Sequence, residues 1–173
     1  MTQEIAQVDT PIGMFRAVVI DGSVRSAGFL GPRAAPRRAP EAVQVRDILS
    51  AYFAGDTDAL DAIVVAPEGT VFKQLVWKAL REVRAGSTIS YGELAARVGA
   101  PGAARAVGTA NATNPICLVI PCHRVVRAGG DIGNYGFGVE CKRWLIDHEA
   151  RPSGLFADIA SASNTPGRIQ ASR

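Results

Sequence analysis

Residues 114–125 read Asn-Pro-Ile-Cys-Leu-Val-Ile-Pro-Cys-His-Arg-Val, an apolar run that ends in a cysteine beside a histidine. The Asn-Pro pair predicts a break in the chain, and residues 116–120 have the continuous apolar pattern of a buried β-strand. The rigid end of this strand would deliver Cys122 and His123. Because the thiolate is the reactive form of cysteine and needs a base or a positive field, Cys122 is a candidate activated nucleophile.

Two short helices are predicted before this stretch. Residues 90–98 open with the capping-box pattern Ser-Tyr-Gly-Glu, and residues 101–111 start with a proline at the first helical position. A glycine-containing turn joins them, which is helix-turn-helix spacing. The second helix has almost only small side chains, so its backbone can approach a partner closely while Arg105 projects from it. An ordinary packed helix with one exposed arginine is the alternative interpretation.

The chain after the cysteine contains a loop and a final helix. Five glycines between residues 129 and 138 predict the loop. Residues 140–150 have Trp144, Leu145 and His148 at helical intervals, which predicts the helix. Residues 151–173 are rich in Ser, Ala, Pro and Gly, and we expect a loosely ordered tail there.

The first 66 residues have the pattern of a scaffold without visible chemistry. Residues 3–31 alternate β-favouring runs with turn signals, which predicts an antiparallel meander. A loop rich in Pro, Arg and Ala follows at residues 31–40, then a helix over residues 41–53 that Gly55 ends. Residues 62–65 have the pattern of one more strand.

Pro67 marks a predicted domain boundary, and Thr70 can cap the next helix. We therefore expect an α/β (α+β) protein. Residues 1–66 would form a small α/β scaffold domain with an antiparallel sheet, and residues 67–150 a mostly helical DNA-binding and active-site domain with the helix-turn-helix. The buried stripe of the Thr70 helix is expected to contain Phe72, Leu75, Val76, Ala79, Leu80 and Val83.

Composition restricts the class of protein. The 173 residues are 47% hydrophobic and 20% charged, which suffices for a buried core. No apolar run approaches the roughly 20 residues that cross a bilayer, and the N-terminus lacks a leader pattern, so we expect a cytoplasmic protein without a membrane partner. The 3 cysteines and 2 histidines lack metal-ligand spacing, and we expect no disulfide, metal or cofactor. Cys117 and Cys141 are interpreted as buried and inert.

Charge is distributed unevenly along the chain. Residues 1–70 carry 6 basic and 9 acidic side chains, whereas residues 71–151 carry 11 basic and 6 acidic ones. This asymmetry predicts a neutral or acidic scaffold followed by a basic half that can meet phosphates. A simple drift of surface charge along the chain is the alternative.

The cysteine motif belongs to a larger pattern that resembles the O6-alkylguanine-DNA alkyltransferases, also called methylated-DNA-protein-cysteine methyltransferases. The pattern covers residues 70–150 densely and the N-terminal region more loosely. Its motifs are Pro-Cys-His-Arg-Val at 121–125, Arg-Ala-Val-Gly at 105–108, Ser-Tyr-Gly at 90–92, Asn-Pro at 114–115, Asn-Tyr-Gly at 134–136, Lys-Arg-Trp-Leu at 142–145 and His-Glu at 148–149.

The resemblance implies a direct, stoichiometric repair reaction. An alkyl group would pass from O6-alkylguanine in duplex DNA to Cys122 and leave an irreversible S-alkylcysteine; O4-alkylthymine stays open as a second substrate. His123, through a water, would take the proton of Cys122, and Glu149 would orient the imidazole. Tyr91 and Lys142 would donate to the leaving guanine near O6 or N3.

The resemblance also implies base flipping by a monomer that binds duplex DNA, with cooperative binding left open. Arg105 would fill the gap that the guanine leaves, and Ala104 and Gly108 would let the helix lie close to the DNA backbone. Phe137 departs from the small residues usual in the family, which affects the size of the alkyl pocket. Val125, Tyr135 and Gly136 would form the base pocket. Asn114 would fix the turn that supports it.

Three other functions are alternatives. A damage-sensing relative of the same fold would bind alkylguanine without transferring anything, but those relatives lack the cysteine. A transcription factor would need polar side chains on its recognition helix, where this chain has mostly Ala, Gly and Val. A cysteine hydrolase would need an oxyanion hole, and no such motif is evident.

Overall fold

The computed structural model describes residues 1–31 and 39–151, so most of the predicted loop at 31–40 and nearly all of the predicted tail lie outside the described residues. An antiparallel sheet followed by helices confirms the α+β class. The elements of the described chain are β1 (Gln3–Thr10), β2 (Gly13–Ile20), β3 (Ser23–Phe29), α1 (Val43–Phe53), α2 (Val71–Arg81), β4 (Ile89–Ser90), α3 (Tyr91–Arg97), α4 (Ala104–Ala112), β5 (Val125–Val126) and α5 (Val139–Glu149), with short 3-10 helices at Ala59–Ala62 and Cys122–Arg124.

The predicted meander is confirmed as a sheet with the order β1-β2-β3, both pairs antiparallel. Asp21 and Gly22 form the two-residue connection between β2 and β3 with φ angles of 48° and 78°. Positive φ at both positions is typical of the hairpin turn whose twist matches that of the strands. Helix α1 packs on β1 and covers the buried face of the sheet, which β2 lines with Phe15, Ala17 and Val19.

The predicted strand over residues 62–65 is wrong. The chain forms the 3-10 helix Ala59–Ala62, and only Val65 makes a bridge, to Val24 at the start of β3. The two apolar residues Leu60 and Ile63 are both buried. Their three-residue separation places them on one side of a 3-10 turn, so these two side chains fill the core, and pairing with β3 is limited to the bridge of Val65.

Helix α2 begins as predicted, because the Thr70 side chain accepts a hydrogen bond from the Lys73 amide. Its buried stripe differs at Leu75, which is 49% exposed, while Trp77 is buried. The Trp77 indole donates to the Ala110 carbonyl at 2.8 Å, so α4 covers this side of α2. The rest of the stripe is confirmed as buried at Val76, Ala79, Leu80 and Val83 and as partly buried at Phe72.

Helices α3 and α4 pack against each other and against α2, and a glycine-containing turn joins them as predicted. The capping box is confirmed, because Ser90 and Glu93 exchange side-chain to backbone hydrogen bonds. The prediction that Pro101 begins the second helix is wrong. Gly102 has a φ of 89°, which a right-handed helix cannot accommodate, and α4 therefore begins at Ala104.

The predicted strand over residues 116–120 is also wrong, although all five residues are buried. The segment is a tight turn in which Leu118 has a φ of 71°. The Asn114 side chain closes this turn: its oxygen accepts from the Ile116 amide at 3.0 Å, and its nitrogen donates to the Ile120 carbonyl at 2.8 Å. Local side-chain bonding of this kind competes with strand pairing.

The buried core is continuous across the boundary expected at residues 66 and 67. No helix in the described ranges is both long and apolar enough to cross a membrane. The core cluster includes Phe15, Leu49 and Tyr52 from the first half and Trp77, Leu94, Val107, Ile116 and Leu145 from the second.

Candidate active site

Cys122 begins the 3-10 helix that directly follows the Asn114 turn, so a closed turn rather than a strand end positions it. The residue is 3% exposed and lies at the wall of a cavity of about 550 Å³. Several predicted site residues from α3, α4, the turn and the glycine-rich loop meet at this cavity. They are Tyr91, Gly108, Asn114, Cys122, Tyr135 and Gly136.

Two sulfur atoms meet in the cavity wall. The Cys117 sulfur lies 3.3 Å from the Cys122 sulfur, and the Tyr135 hydroxyl lies 3.3 Å from the first and 3.9 Å from the second. Cys117 is buried as predicted, and its contact with Cys122 makes it part of the cavity wall, a position that the sequence interpretation did not assign to it. The Cys-x4-Cys spacing was the signal in the sequence that could have identified it.

The environment favours the thiolate of Cys122. A hydrogen bond from the Cys117 thiol, the electrostatic interaction with His123 and hydrogen bonds from Asn114 and Tyr135 outweigh the effect of burial and lower the pKa of Cys122 to about 6. The same hydrogen bond, together with burial, raises the pKa of Cys117 well above its ordinary value. Cys117 is therefore the protonated donor and Cys122 the ionised acceptor.

His123 is completely buried and points one nitrogen at Glu149, with Nε2 at 2.9 Å from Oε1. Its Nδ1 is also buried and has no hydrogen-bond partner among the described residues. A carboxylate can only accept hydrogen bonds, so the hydrogen lies on Nε2. The free lone pair, and with it the basic position of the ring, is then on Nδ1.

The Glu149 carboxylate receives further donors. Arg124 donates from Nε and Nη2 at 2.9 Å each, and the Tyr52 hydroxyl donates at 2.8 Å. Burial alone would raise the pKa of Glu149, but the electrostatic interactions and hydrogen bonds with His123 and Arg124 outweigh it and hold that pKa well below its usual range. Burial and the charge of Glu149 raise the pKa of Tyr52, so its phenol stays protonated.

The sequence interpretation missed both of these donors. Arg124 stands within a buried apolar stretch, and a charge in that position needs a buried partner, which is a signal the sequence does contain. Tyr52 occupies an ordinary core position of α1 and lies 97 residues from Glu149 in the sequence. No local pattern connects the two.

Lys142 and Val125 lie behind the cavity wall. Lys142 is 1% exposed, and its ammonium donates to the carbonyl of Val125 at 2.6 Å and to that of Ile132. Val125 pairs with Ile89 between the short parallel strands β5 and β4. Lys142 therefore ties the strand before the glycine-rich loop to a residue inside that loop. Burial lowers the pKa of Lys142.

The outer side of the cavity is formed by α4 and the glycine-rich loop. Arg105 is exposed and precedes Gly108 by three residues, so both lie on one face of α4, next to the partly buried Ala104. Phe137, 39% exposed, packs on Tyr135 and on Phe29 of β3. The remaining cavity residues, which the sequence interpretation did not select, are Asn111, Ala112, Arg127 and Asn134.

In residues 1–31 and 39–151, no three His, Cys, Asp or Glu side chains lie close enough together to hold a metal ion.

The sulfur pair leads to a test that needs no substrate. The alkylation rate of Cys122 by iodoacetamide should rise through a midpoint near pH 6, because the pKa of Cys122 is lowered to about 6. A hydrogen bond to a charged group contributes about 1.5–3 kcal/mol, and one pKa unit is about 1.4 kcal/mol. Cys117→Ala should therefore raise the midpoint by about one unit or more.

Rates would be measured on the Cys122 peptide by mass spectrometry across pH 5 to about 9, a window that includes the ordinary thiol pKa of about 8.5. Cys141→Ala is the matched control and should keep the midpoint of the unchanged chain. An equal midpoint in Cys117→Ala would contradict the role of Cys117 as the donor.

Comparisons with known proteins show which family this chain resembles. Residues 71–151 match the family described as "6-O-methylguanine DNA methyltransferase, DNA binding domain". A methylated-DNA–protein-cysteine methyltransferase of Salmonella typhimurium is 50% identical over 103 residues, which are 60% of this chain and 60% of the relative's own length. The Mycobacterium tuberculosis OGT structure in complex with DNA is 38% identical with a TM-score of 0.74, covering 85% of this chain and 92% of that one.

A second curated relative extends the similarity over nearly its whole length. The methylated-DNA–protein-cysteine methyltransferase of Mycolicibacterium paratuberculosis is 40% identical over 156 residues, which are 87% of this chain and 94% of the relative. The match includes the N-terminal half that supplies Tyr52 as well as the half that contains Cys122. The chain belongs to the methylated-DNA–protein-cysteine methyltransferase family.

Proposed function

We propose that the chain repairs DNA by moving the alkyl group of O6-alkylguanine in a duplex onto the sulfur of Cys122. The observation that carries this proposal is the Cys122 sulfur, with its pKa lowered to about 6, at the wall of a 550 Å³ cavity. A soft, anionic sulfur suits attack on an sp3 carbon, and the cavity has the volume of a small-ligand site. The family membership supports the same reaction.

In the reaction we propose, the Cys122 thiolate attacks the alkyl carbon, the carbon–O6 bond breaks, and its electron pair stays on guanine. His123 Nδ1 takes the thiol proton through a water, while Glu149 holds Nε2–H and stabilises the imidazolium. Tyr91, whose pKa is raised by burial, keeps its proton and donates it toward the departing base. The product is a stable thioether, so each molecule acts once.

Asn114 and Lys142 contribute as positioning residues. Asn114 closes the turn before Cys122, and Lys142 fixes the glycine-rich loop to the strand that precedes it. Because the Lys142 ammonium is occupied by two carbonyls, we propose this role in place of donation to guanine. Val125 likewise supports the pocket from behind, whereas Tyr135 and Gly136 contact the base directly.

The DNA lies along α4 in this proposal. The target base must leave the duplex to reach a buried sulfur, and flipping costs a few kcal/mol. Arg105, exposed on the face of α4 that leads to the cavity, fills the vacated position. An alanine at Gly108 would meet only the Tyr91 ring at 3.8 Å within the protein. Packing inside the protein therefore does not require glycine at position 108. We propose that Ala104 and Gly108 are small because the DNA backbone must approach α4 closely.

We also propose the division into a scaffold unit, residues 1–66, and an active-site unit, residues 67–150. The scaffold contributes Tyr52 to Glu149, so its function includes support of the site.

The direct test is intact-protein mass spectrometry with a duplex that contains one O6-methylguanine. We expect the mass of one methyl to be gained on Cys122 and the reaction to stop after one equivalent. Cys122→Ser should bind the same duplex and gain no mass, whereas Cys141→Ser should be methylated normally. Tight binding of the lesion by the unchanged chain with no gain of mass would replace this proposal with the damage-sensor alternative.

The role of Arg105 is tested by comparing two substrates. Arg105→Ala should slow single-turnover repair of the duplex about ten- to hundred-fold, because it loses part of the few kcal/mol that flipping requires. Its reaction with a free O6-alkylguanine base should stay within about two-fold of the unchanged chain, since no flipping is needed.

Arg46→Ala removes the same charge from α1 and is the matched control for nonspecific loss of DNA attraction. Equal losses on duplex and free base would contradict insertion of Arg105.

A further inference from the structure

We propose that Cys117 is the resolving thiol of an oxidative modification site: a hydroperoxide oxidises Cys122, and Cys117 captures it as a reversible Cys117–Cys122 disulfide. The disulfide itself follows from the contact of the two sulfurs. Its consequence, that the alkyl acceptor is stored in an inactive but recoverable form, rests on the proposed function of Cys122.

The sulfurs are already close to bonding distance. They lie 3.3 Å apart, and a disulfide bond is about 2.05 Å long, so an approach of about 1.2 Å completes it. The turn that Asn114 closes holds both ends of the segment, with the Cys117 and Ile120 backbones bridged. The two sulfurs therefore start the reaction in contact and on one closed turn.

The structure also determines which cysteine can react with an oxidised Cys122. Cys122 lines the cavity, which gives a small peroxide access to the more acidic of the two sulfurs. Cys141, on α5, lines a different cavity together with Trp144 and Phe137. A sulfenic acid on Cys122 therefore meets the Cys117 sulfur first.

The chemistry balances with hydrogen peroxide as the oxidant. The Cys122 thiolate attacks one peroxide oxygen, the O–O bond breaks, hydroxide leaves, and the sulfur becomes a sulfenic acid. The Cys117 sulfur then attacks the Cys122 sulfur, the S–O bond breaks, and the Cys117 proton leaves with the oxygen as water. In sum, two thiols and one peroxide give one disulfide and two waters, and a thiol reductant reverses the step.

Without a resolving thiol, further oxidation would be irreversible. A sulfenic acid exposed to more peroxide becomes a sulfinic acid, which ordinary thiols do not reduce. Because each molecule has a single alkyl acceptor, that oxidation would remove the molecule from repair. The Cys117 thiol replaces this loss with a state that reduction can recover.

The test uses the full reduced chain, hydrogen peroxide and no DNA. After oxidation the protein is denatured, its free thiols are blocked with N-ethylmaleimide, and it is digested with trypsin. Both cysteines fall in one peptide, residues 106–124. We expect this peptide to lose the mass of two hydrogens and to carry no maleimide, while Cys141 is fully labelled. A reductant added before blocking should restore both labels on the peptide.

Two variants complete the test. Cys117→Ser should accumulate the mass of two oxygens on Cys122 at the same peroxide dose, and reductant should not remove it, whereas Cys141→Ser should form the disulfide as the unchanged chain does. A maleimide label on Cys117 beside an oxidised Cys122 in the unchanged chain would overturn the proposal. Because the readout is peptide mass without substrate, it stands apart from any failure of alkyl transfer, which the O6-methylguanine duplex measures separately.

Discussion

The Glu149 carboxylate is the interaction on which the rest of the site depends. It lies in the core, 5% exposed, where an unpaired charge would cost several kcal/mol. Arg124, His123 and Tyr52 supply the donors that keep it ionised. Glu149 lies on α5, Tyr52 lies on α1, and His123 and Arg124 lie on the 3-10 helix of Cys122. One carboxylate therefore connects three segments that are distant in the sequence. Removing any one donor leaves buried polar groups unpaired and loosens the residues next to Cys122.

The sulfur pair depends on this framework. The Cys122 helix is fixed by Glu149 on one side, through His123 and Arg124, and by the Asn114 turn on the other. Between these two attachments the Cys117 thiol contacts Cys122. In the two reactions that we propose, the same contact stabilises the thiolate for alkyl transfer and places a second sulfur where an oxidised Cys122 can be captured.

The sequence predicted most of the elements and much of the site because their signals are local. Turn residues identified the meander, Thr70 and Ser90 identified helix starts, and the Pro-Cys-His-Arg-Val motif identified a cysteine that lies at the cavity wall. The predictions failed where a side chain overrides the pattern. Asn114 turns an apolar run into a closed loop, and Gly102 delays the start of α4.

Contacts between distant residues were the other limit. Neither the Tyr52 bond to Glu149 nor the occupation of Lys142 by two carbonyls has a signature in spacing or composition, because each depends on how separate segments pack. The measurement that tests the central claim most directly is the tautomer of His123 by nitrogen-15 NMR, with the other histidine assigned through His148→Gln. We predict a proton on Nε2 and a bare Nδ1 in the neutral form of the ring, with this preference lost in Glu149→Gln. A proton on Nδ1 in the unchanged chain would contradict the claim that Glu149 prepares His123 as the base.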